Sequence, residues 1–180
     1  MRLDADGRVD AAVWVPSPNC DERPPGTGIE LLVIHNISLP PGVFGGDAVI
    51  DQFLNRLDPA AHPYYAGIAG LRVSAHFLIR RDGSLLQFVS CDRRAWHAGQ
   101  SSWCGRERCN DFSVGIELEG SDETAFADVQ YERLGRLASV LHARYPIAAS
   151  VGHSDIAPGR KTDPGPYFDW ARYFALIDKK

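Results

Sequence analysis

The stretch IELLVIHN, residues 29–36, is short, aliphatic and β-branched, and it lies between Gly28 and the Pro40-Pro41-Gly42 turn. A brief apolar run bounded by turn residues predicts a buried strand, and this one delivers a histidine, His35, near its end. A second run, SVGIELE at 113–119, alternates Val114, Ile116 and Leu118 with Gly115, Glu117 and Glu119. That two-residue period predicts another strand, apolar on one side and acidic on the other. Residues 73–80 and 84–90 are two further β-rich runs joined by Arg81-Asp82-Gly83, whose Asp-Gly pair suits the positive φ angles of a tight hairpin turn. Residues 147–151 predict a last short strand that runs into His153.

Helices fill the intervals. Ile50, Phe53, Leu54 and Leu57 fall at i, i+3, i+4 and i+7 behind Asp47 as N-cap, with Pro59 beyond the end. Phe126, Val129, Leu134, Leu137, Ala138, Leu141 and Tyr145 trace a longer helical stripe, which Pro146 terminates. Pro166 is expected to open a C-terminal helix carrying Tyr167, Trp170, Phe174 and Ile177. The order β-α-β-β-β-α-β-α mixes hairpin pairing with helical crossovers. It predicts the α/β class: a single domain over 1–180 with a mixed central β-sheet flanked by helices. Residues 1–28, with Pro16, Pro18, Pro24 and Pro25, are expected to be an irregular segment packed on that domain.

The 180 residues fit one ordinary domain, and 44% hydrophobic with 23% charged residues is the balance of a globular protein rather than a disordered one. Nineteen Lys and Arg against 23 Asp and Glu leave a net charge of −4, with the basic residues scattered, so nucleic acid is not an expected partner. Cys20, Cys91, Cys104 and Cys109 contain no CxxC pair and are too sparse for a disulfide scaffold, so free thiols are expected, although Cys104 and Cys109 are near enough in sequence to pair or bind metal. No signal-peptide pattern opens the chain and no apolar run approaches membrane-spanning length, which leads to the expectation of a soluble cytoplasmic protein.

His35, Glu119 and Gly152-His153 lie at or near predicted strand ends, where sites form in open α/β sheets. His35, His153 and Asp163 make a plausible metal set, because zinc in hydrolases commonly has three protein ligands and an open position for water. The bland alternative is a pair of buried or capping histidines. Lys161, two residues before Asp163, would project to the same side of an extended loop and could stabilise an oxyanion. Glu117 could serve as general base, and Glu119, of the same parity, is an equal candidate unless both simply face solvent. The loop segments WHAG at 96–99 and 103–110 are rich in aromatic, Gly and Arg residues, and Arg106 and Arg108 could bind carboxylates. Of the remaining histidines, His76 is a possible pocket wall, His142 belongs on a helix surface, and His62 has no obvious partner.

Five strings, IHNISLPPG at 34–42, SAHFLIRRDG at 74–83, WHAG at 96–99, NDFSVGIELEG at 110–120 and GHSDIAPGRKTDPGP at 152–166, closely resemble the cytosolic AmpD-type amidases of bacterial cell-wall recycling. That family sits within the zinc amidases related to phage lysozyme-like amidases and peptidoglycan recognition proteins. The resemblance implies a Zn2+ hydrolase that cleaves the amide between 1,6-anhydro-N-acetylmuramic acid and L-alanine, with His35, His153 and Asp163 as ligands. It also implies Glu117 as general base, Lys161 as oxyanion stabiliser, and Asn36, Tyr64, Arg72, Trp96 and Arg108 as substrate contacts, with Tyr65 a competitor for the tyrosine role. The expected partner is the anhydro-muropeptide, bound by a monomer without membrane or nucleic acid. Two rivals are a non-catalytic peptidoglycan-fragment binding module and a non-haem iron oxygenase, whose triad also has two His and one carboxylate.

Overall fold

The computed structural model describes residues 1–177. In chain order these form β1 (Val13–Trp14), β2 (Cys20–Glu22), β3 (Leu31–Ile37), α1 (Ala48–Phe53), α2 (Pro63–Gly67), β4 (Phe77–Ile79) and β5 (Leu85–Gln87). Then follow β6 (Arg93–Ala95), β7 (Ser102–Trp103), β8 (Arg106–Glu107), β9 (Ser113–Glu119), α3 (Asp128–Arg144), β10 (Ala149–Gly152), α4 (His153–Ile156) and α5 (Trp170–Ile177). The main sheet has six strands in the order β1-β5-β4-β9-β3-β10. β4, β9, β3 and β10 run parallel, and β5 turns back antiparallel on β4. It is the mixed sheet that the element order predicts.

Register determines what each face carries. Leu31 pairs with Ser113, Val33 with Gly115 and His35 with Glu117, and residues directly opposite share a face. The alternate positions, Leu32 and Ile34 with Val114, Ile116 and Leu118, form the other face and pack on Leu134, Leu137, Ala138 and Leu141 of α3. Each such side chain contributes about 1.5–3 kcal/mol by leaving water, and truncating the fully buried Leu137 to Ala would cost about 2–5 kcal/mol. The opposite face is covered in two patches. Phe53 of α1 packs there with Leu78, Leu86 and Phe88; Ala98, Cys109, Phe112 and Ile156 cover Leu31, Val33 and Val151. All seven residues of β9 are therefore buried, so its acidic side is no solvated face.

Several elements differ from the sequence-based expectations. The segment 1–28 is not wholly irregular, because β1 extends the sheet edge beside β5 and β2 pairs with β6. These strands of two or three residues exist through their partners and carry no period of their own. The helix after Asp47 stops at Phe53, where Asn55 enters the left-handed region at φ 59° and ends it before Leu57. The C-terminal helix begins at Trp170 rather than Pro166, with the turn Gly165–Phe168 closed by a backbone hydrogen bond before it. In the β4–β5 hairpin only Gly83 has positive φ, while Asp82 accepts a hydrogen bond from the Ser84 N–H. The short β7–β8 pair, α2 and α4 were not expected. All four cysteines are free, and no helix among the described residues is long and apolar enough to cross a membrane.

Candidate metal centre and active site

His35 reaches the site from the end of β3. β10 lies beside β3 with Gly152 opposite Ile34, which sets His153, the first residue of α4, next to His35. The loop after α4 returns by a hydrogen bond from the Ser154 N–H to the Asp163 carbonyl, and this brings the Asp163 carboxylate over both rings. His35 Nδ1 is 3.0 Å from His153 Nδ1 and 2.9 Å from Asp163 Oδ2, and His153 Nδ1 is 3.1 Å from the same oxygen. Three donor atoms in a near-equilateral triangle fit a small tetrahedral cation, for which zinc–nitrogen bonds of about 2.0 Å put ligand atoms about 3.3 Å apart. Burial alone would raise the Asp163 carboxyl, yet the contacts from His153 and His35 outweigh it and hold the group well below the usual carboxylate range. Burial lowers His35 to about 4 despite Asp163, which favours a neutral ring with a lone pair that could bind a metal.

Glu117 projects from β9 beside His35. It is buried, and its Oε2 atom has no hydrogen-bond partner. Burial, with the Asp163 charge in addition, pushes its pKa well above the ordinary value, and Lys161 opposes this. Glu119 is different. Its oxygens accept hydrogen bonds from the backbone N–H groups of Gly45 and Arg81, at 2.7 and 3.0 Å, and Arg80 approaches at 3.9 Å. The two glutamates, indistinguishable by pattern, are thus one unpartnered acid and one structural tie.

A cavity of about 630 Å³ opens over these groups and is lined by His35, Asn36, Tyr64, Glu117, His153, Lys161 and Asp163, among others. Asn36 donates its side-chain N–H to the Asp122 carboxylate and the Pro164 carbonyl. Tyr64 stands exposed on α2, whereas Tyr65 is buried in the core beneath. Three expected substrate contacts do not line this cavity. Arg72 is at a separate small cavity beside Tyr65 and Leu71, because β4 begins only five residues later and leaves it in an exposed loop. Trp96 turns away, donating its indole N–H to Asp21, since neighbouring residues leaving β6 point to opposite sides and His97 takes the inward one. Arg108 is exposed beside Asp111 and lines an adjoining cavity of about 400 Å³ that shares Arg160 with the first. Arg106 is bound to Glu30 and lies over the Phe112 ring.

The sequence also hid several neighbours of the site. His97 is buried with its ring over Gly115, and burial first, then the adjacent imidazoles, pushes it well below its ordinary pKa. His76, expected as a possible pocket wall, does not line the cavity: it is fully buried behind His97, with its Nδ1 accepting from the Gly115 N–H. The glycine in β9 was the available signal, since Gly inside a strand often marks a close approach by another group. His62 caps α2, accepting from the Tyr64 N–H, and His142 is half-buried on α3.

A mixed α/β sheet with two histidines, an aspartate and a buried unpartnered glutamate converging in one cleft is an arrangement suited to hydrolysis, with three side chains that could hold a metal ion. Residues 25–166 match the family model described as N-acetylmuramoyl-L-alanine amidase, and the chain belongs to that family. It is 59% identical over 179 residues to the 1,6-anhydro-N-acetylmuramyl-L-alanine amidase AmpD of Citrobacter freundii, covering 98% of this chain and 95% of that protein. A crystal structure of a selenomethionine AmpD derivative superposes with TM-score 0.96 at 59% identity, covering 98% of this chain and 99% of that one. The Escherichia coli amidase AmiD, solved with the substrate anhydro-N-acetylmuramic acid-L-Ala-D-gamma-Glu-L-Lys, matches at TM-score 0.61 and 32% identity, over 97% of this chain and 62% of that one.

Proposed function

We propose that this protein hydrolyses the amide between the lactyl group of 1,6-anhydro-N-acetylmuramic acid and the L-alanine of a stem peptide, in cytoplasmic peptidoglycan recycling. Zinc held by His35, His153 and Asp163 would supply Lewis acidity and a water of pKa about 7. The observation that carries the reading is the orphaned Glu117 carboxylate beside the ligand triangle. A buried acid without a partner costs stability, and a general base that must meet a water and then a leaving group explains why none is built in.

In the reaction Glu117 removes a proton from the water attacking the lactyl carbonyl. The carbonyl carbon becomes tetrahedral, and Lys161 faces the negative charge that develops on its oxygen. Glu117 then delivers the proton to the alanine nitrogen, the carbon–nitrogen bond breaks, and the peptide leaves as an amine from a lactyl carboxylic acid. Asn36 and Tyr64 are suited to bind the sugar–peptide junction from the cavity wall. Arg108 is suited to a more distal carboxylate of the peptide. The ligands, base and lysine together favour an enzyme over a binding module, which needs neither an unpartnered acid nor a metal triangle.

The test is incubation of zinc-loaded protein with anhydro-muropeptide and mass analysis of the products. Release of free anhydro-N-acetylmuramic acid and intact peptide is expected. An unaltered substrate with metal-loaded, folded protein would refute the proposal.

A further inference from the structure

Six histidines occur in the chain, and four of them stand in a row across the sheet: His153, His35, His97 and His76, with successive ring centroids 4.5, 5.1 and 5.7 Å apart. His97 has no place in the mechanism above. Its Nδ1 is 3.0 Å from His35 Nε2, and its Nε2 is 3.1 Å from Ser113 Oγ. Ser113 in turn donates its hydroxyl to the Cys109 carbonyl at 2.6 Å.

The direction of this chain follows from its far end. A carbonyl oxygen only accepts, so the serine O–H is spent on it and the serine oxygen is left to accept from His97 Nε2–H. The neutral His97 ring then has a bare Nδ1, which accepts from His35 Nε2–H. With that proton placed outward, the His35 Nδ1 lone pair is left for the ligand triangle. His153 is treated alike by the next residue. Its Nε2 lies 3.1 Å from the Ala98 carbonyl, which also accepts from Arg160 at 2.8 Å, so its Nδ1 is likewise left for the triangle. The Asn110 side-chain oxygen accepts both the His97 and Ala98 N–H groups, at 3.1 and 2.8 Å, and so pins the dipeptide against the site. Gly115 completes the arrangement, because a Cβ there would fall on the His97 ring.

We infer that the His97-Ala98 dipeptide, clamped by Asn110, is the positioning element of the metal centre: it fixes the tautomer and ring orientation of both histidine ligands, with His97 as the acceptor for His35. This rests on the zinc reading given above. Partners that orient a ligating histidine and raise its basicity typically govern metal affinity by about 10–100-fold.

The experiment compares zinc affinity, by chelator competition, in the wild type, His97→Phe and His97→Asn. Asparagine retains an acceptor near the Nδ1 position, whereas phenylalanine keeps the bulk alone. Loss of about 10–100-fold in affinity for His97→Phe, with His97→Asn restoring most of it, is expected. In zinc-loaded wild type, nitrogen NMR should show a scalar coupling across the His35 Nε2–H···Nδ1 His97 hydrogen bond. Equal affinity in wild type and folded His97→Phe, or a His97 ring protonated at Nδ1, would overturn the inference. If His97→Phe does not fold, Ser113→Ala decides. It removes the acceptor that orients His97, together with the donor to the Cys109 carbonyl, and leaves the His97 ring in place; unchanged affinity and coupling in that variant would equally overturn it. A wild-type protein that binds no zinc would instead refute the function proposed above.

Discussion

Replacing Glu117 with glutamine should make the protein more stable and nearly inactive at once. The carboxylate is buried at 8% exposure, and its Oε2 has no partner. A buried polar group left unsatisfied costs about 1–3 kcal/mol, and more when charged. Glutamine fills the same space without the charge, so at pH 7, with a chelator present to remove compensating cations, the variant should gain about 1–3 kcal/mol. For a chain of this size each kcal/mol moves Tm by about 2–4 °C, giving a rise of about 2–12 °C. The sign reverses the usual behaviour of a carboxylate. Because the folded pKa lies above the unfolded one, the folded protein holds a proton that the unfolded chain has released between those values, and wild-type stability falls as pH rises through that window. Variant and wild type should therefore melt together below the ordinary glutamate range and diverge above it. The assay is a pair of thermal melts from acid to neutral pH, with kcat measured on the zinc-loaded proteins, where a loss of at least about 100-fold is expected. A variant that melts no higher than wild type at pH 7, or a gap independent of pH, would refute the argument from burial.

Chelation should abolish amide cleavage and added zinc should restore it; full activity in protein shown to be metal-free would contradict the ligand assignment. Asp163→Ala removes one corner of the triangle, so zinc content and activity should fall together in metal analysis and product assays. Lys161→Ala should keep its zinc and lose about 100–1000-fold in kcat with a smaller change in KM, since its charge meets the transition state rather than the ground state. Glu119→Ala should cost about 1.5–3 kcal/mol in denaturant unfolding by stranding the Gly45 and Arg81 N–H groups, while kcat stays far closer to wild type than in Glu117→Gln. Gly115→Ala should destabilise the fold by about 1–3 kcal/mol through overpacking on His97 and weaken zinc binding in the same competition assay.

The strands that build the site were readable because their information is local. The apolar run ending at His35, the alternation through Glu117 and the heptad-like stripe of α3 each follow from period and turn residues alone, and the mixed sheet follows from their order. His35 and His153 could be placed at strand ends on the same grounds. What no local pattern contained was the identity of distant neighbours. Glu117 and Glu119 have the same parity on one strand, and only the loops that cover each end of β9 distinguish them. Gly45 and Arg81 approach Glu119, while Glu117 faces His35 without a partner. The same is true of β1 and β2, whose two or three residues become strands only because a sheet edge or β6 supplies their hydrogen bonds. His97 shows the limit most clearly. Its sequence neighbours mark a loop, but its place against His35 depends on Asn110, Ser113 and Gly115 meeting it from the other side of a fold. Secondary structure is set by contacts a few residues apart, whereas a proton's position in a buried chain of hydrogen bonds is set by which surfaces the tertiary structure brings together.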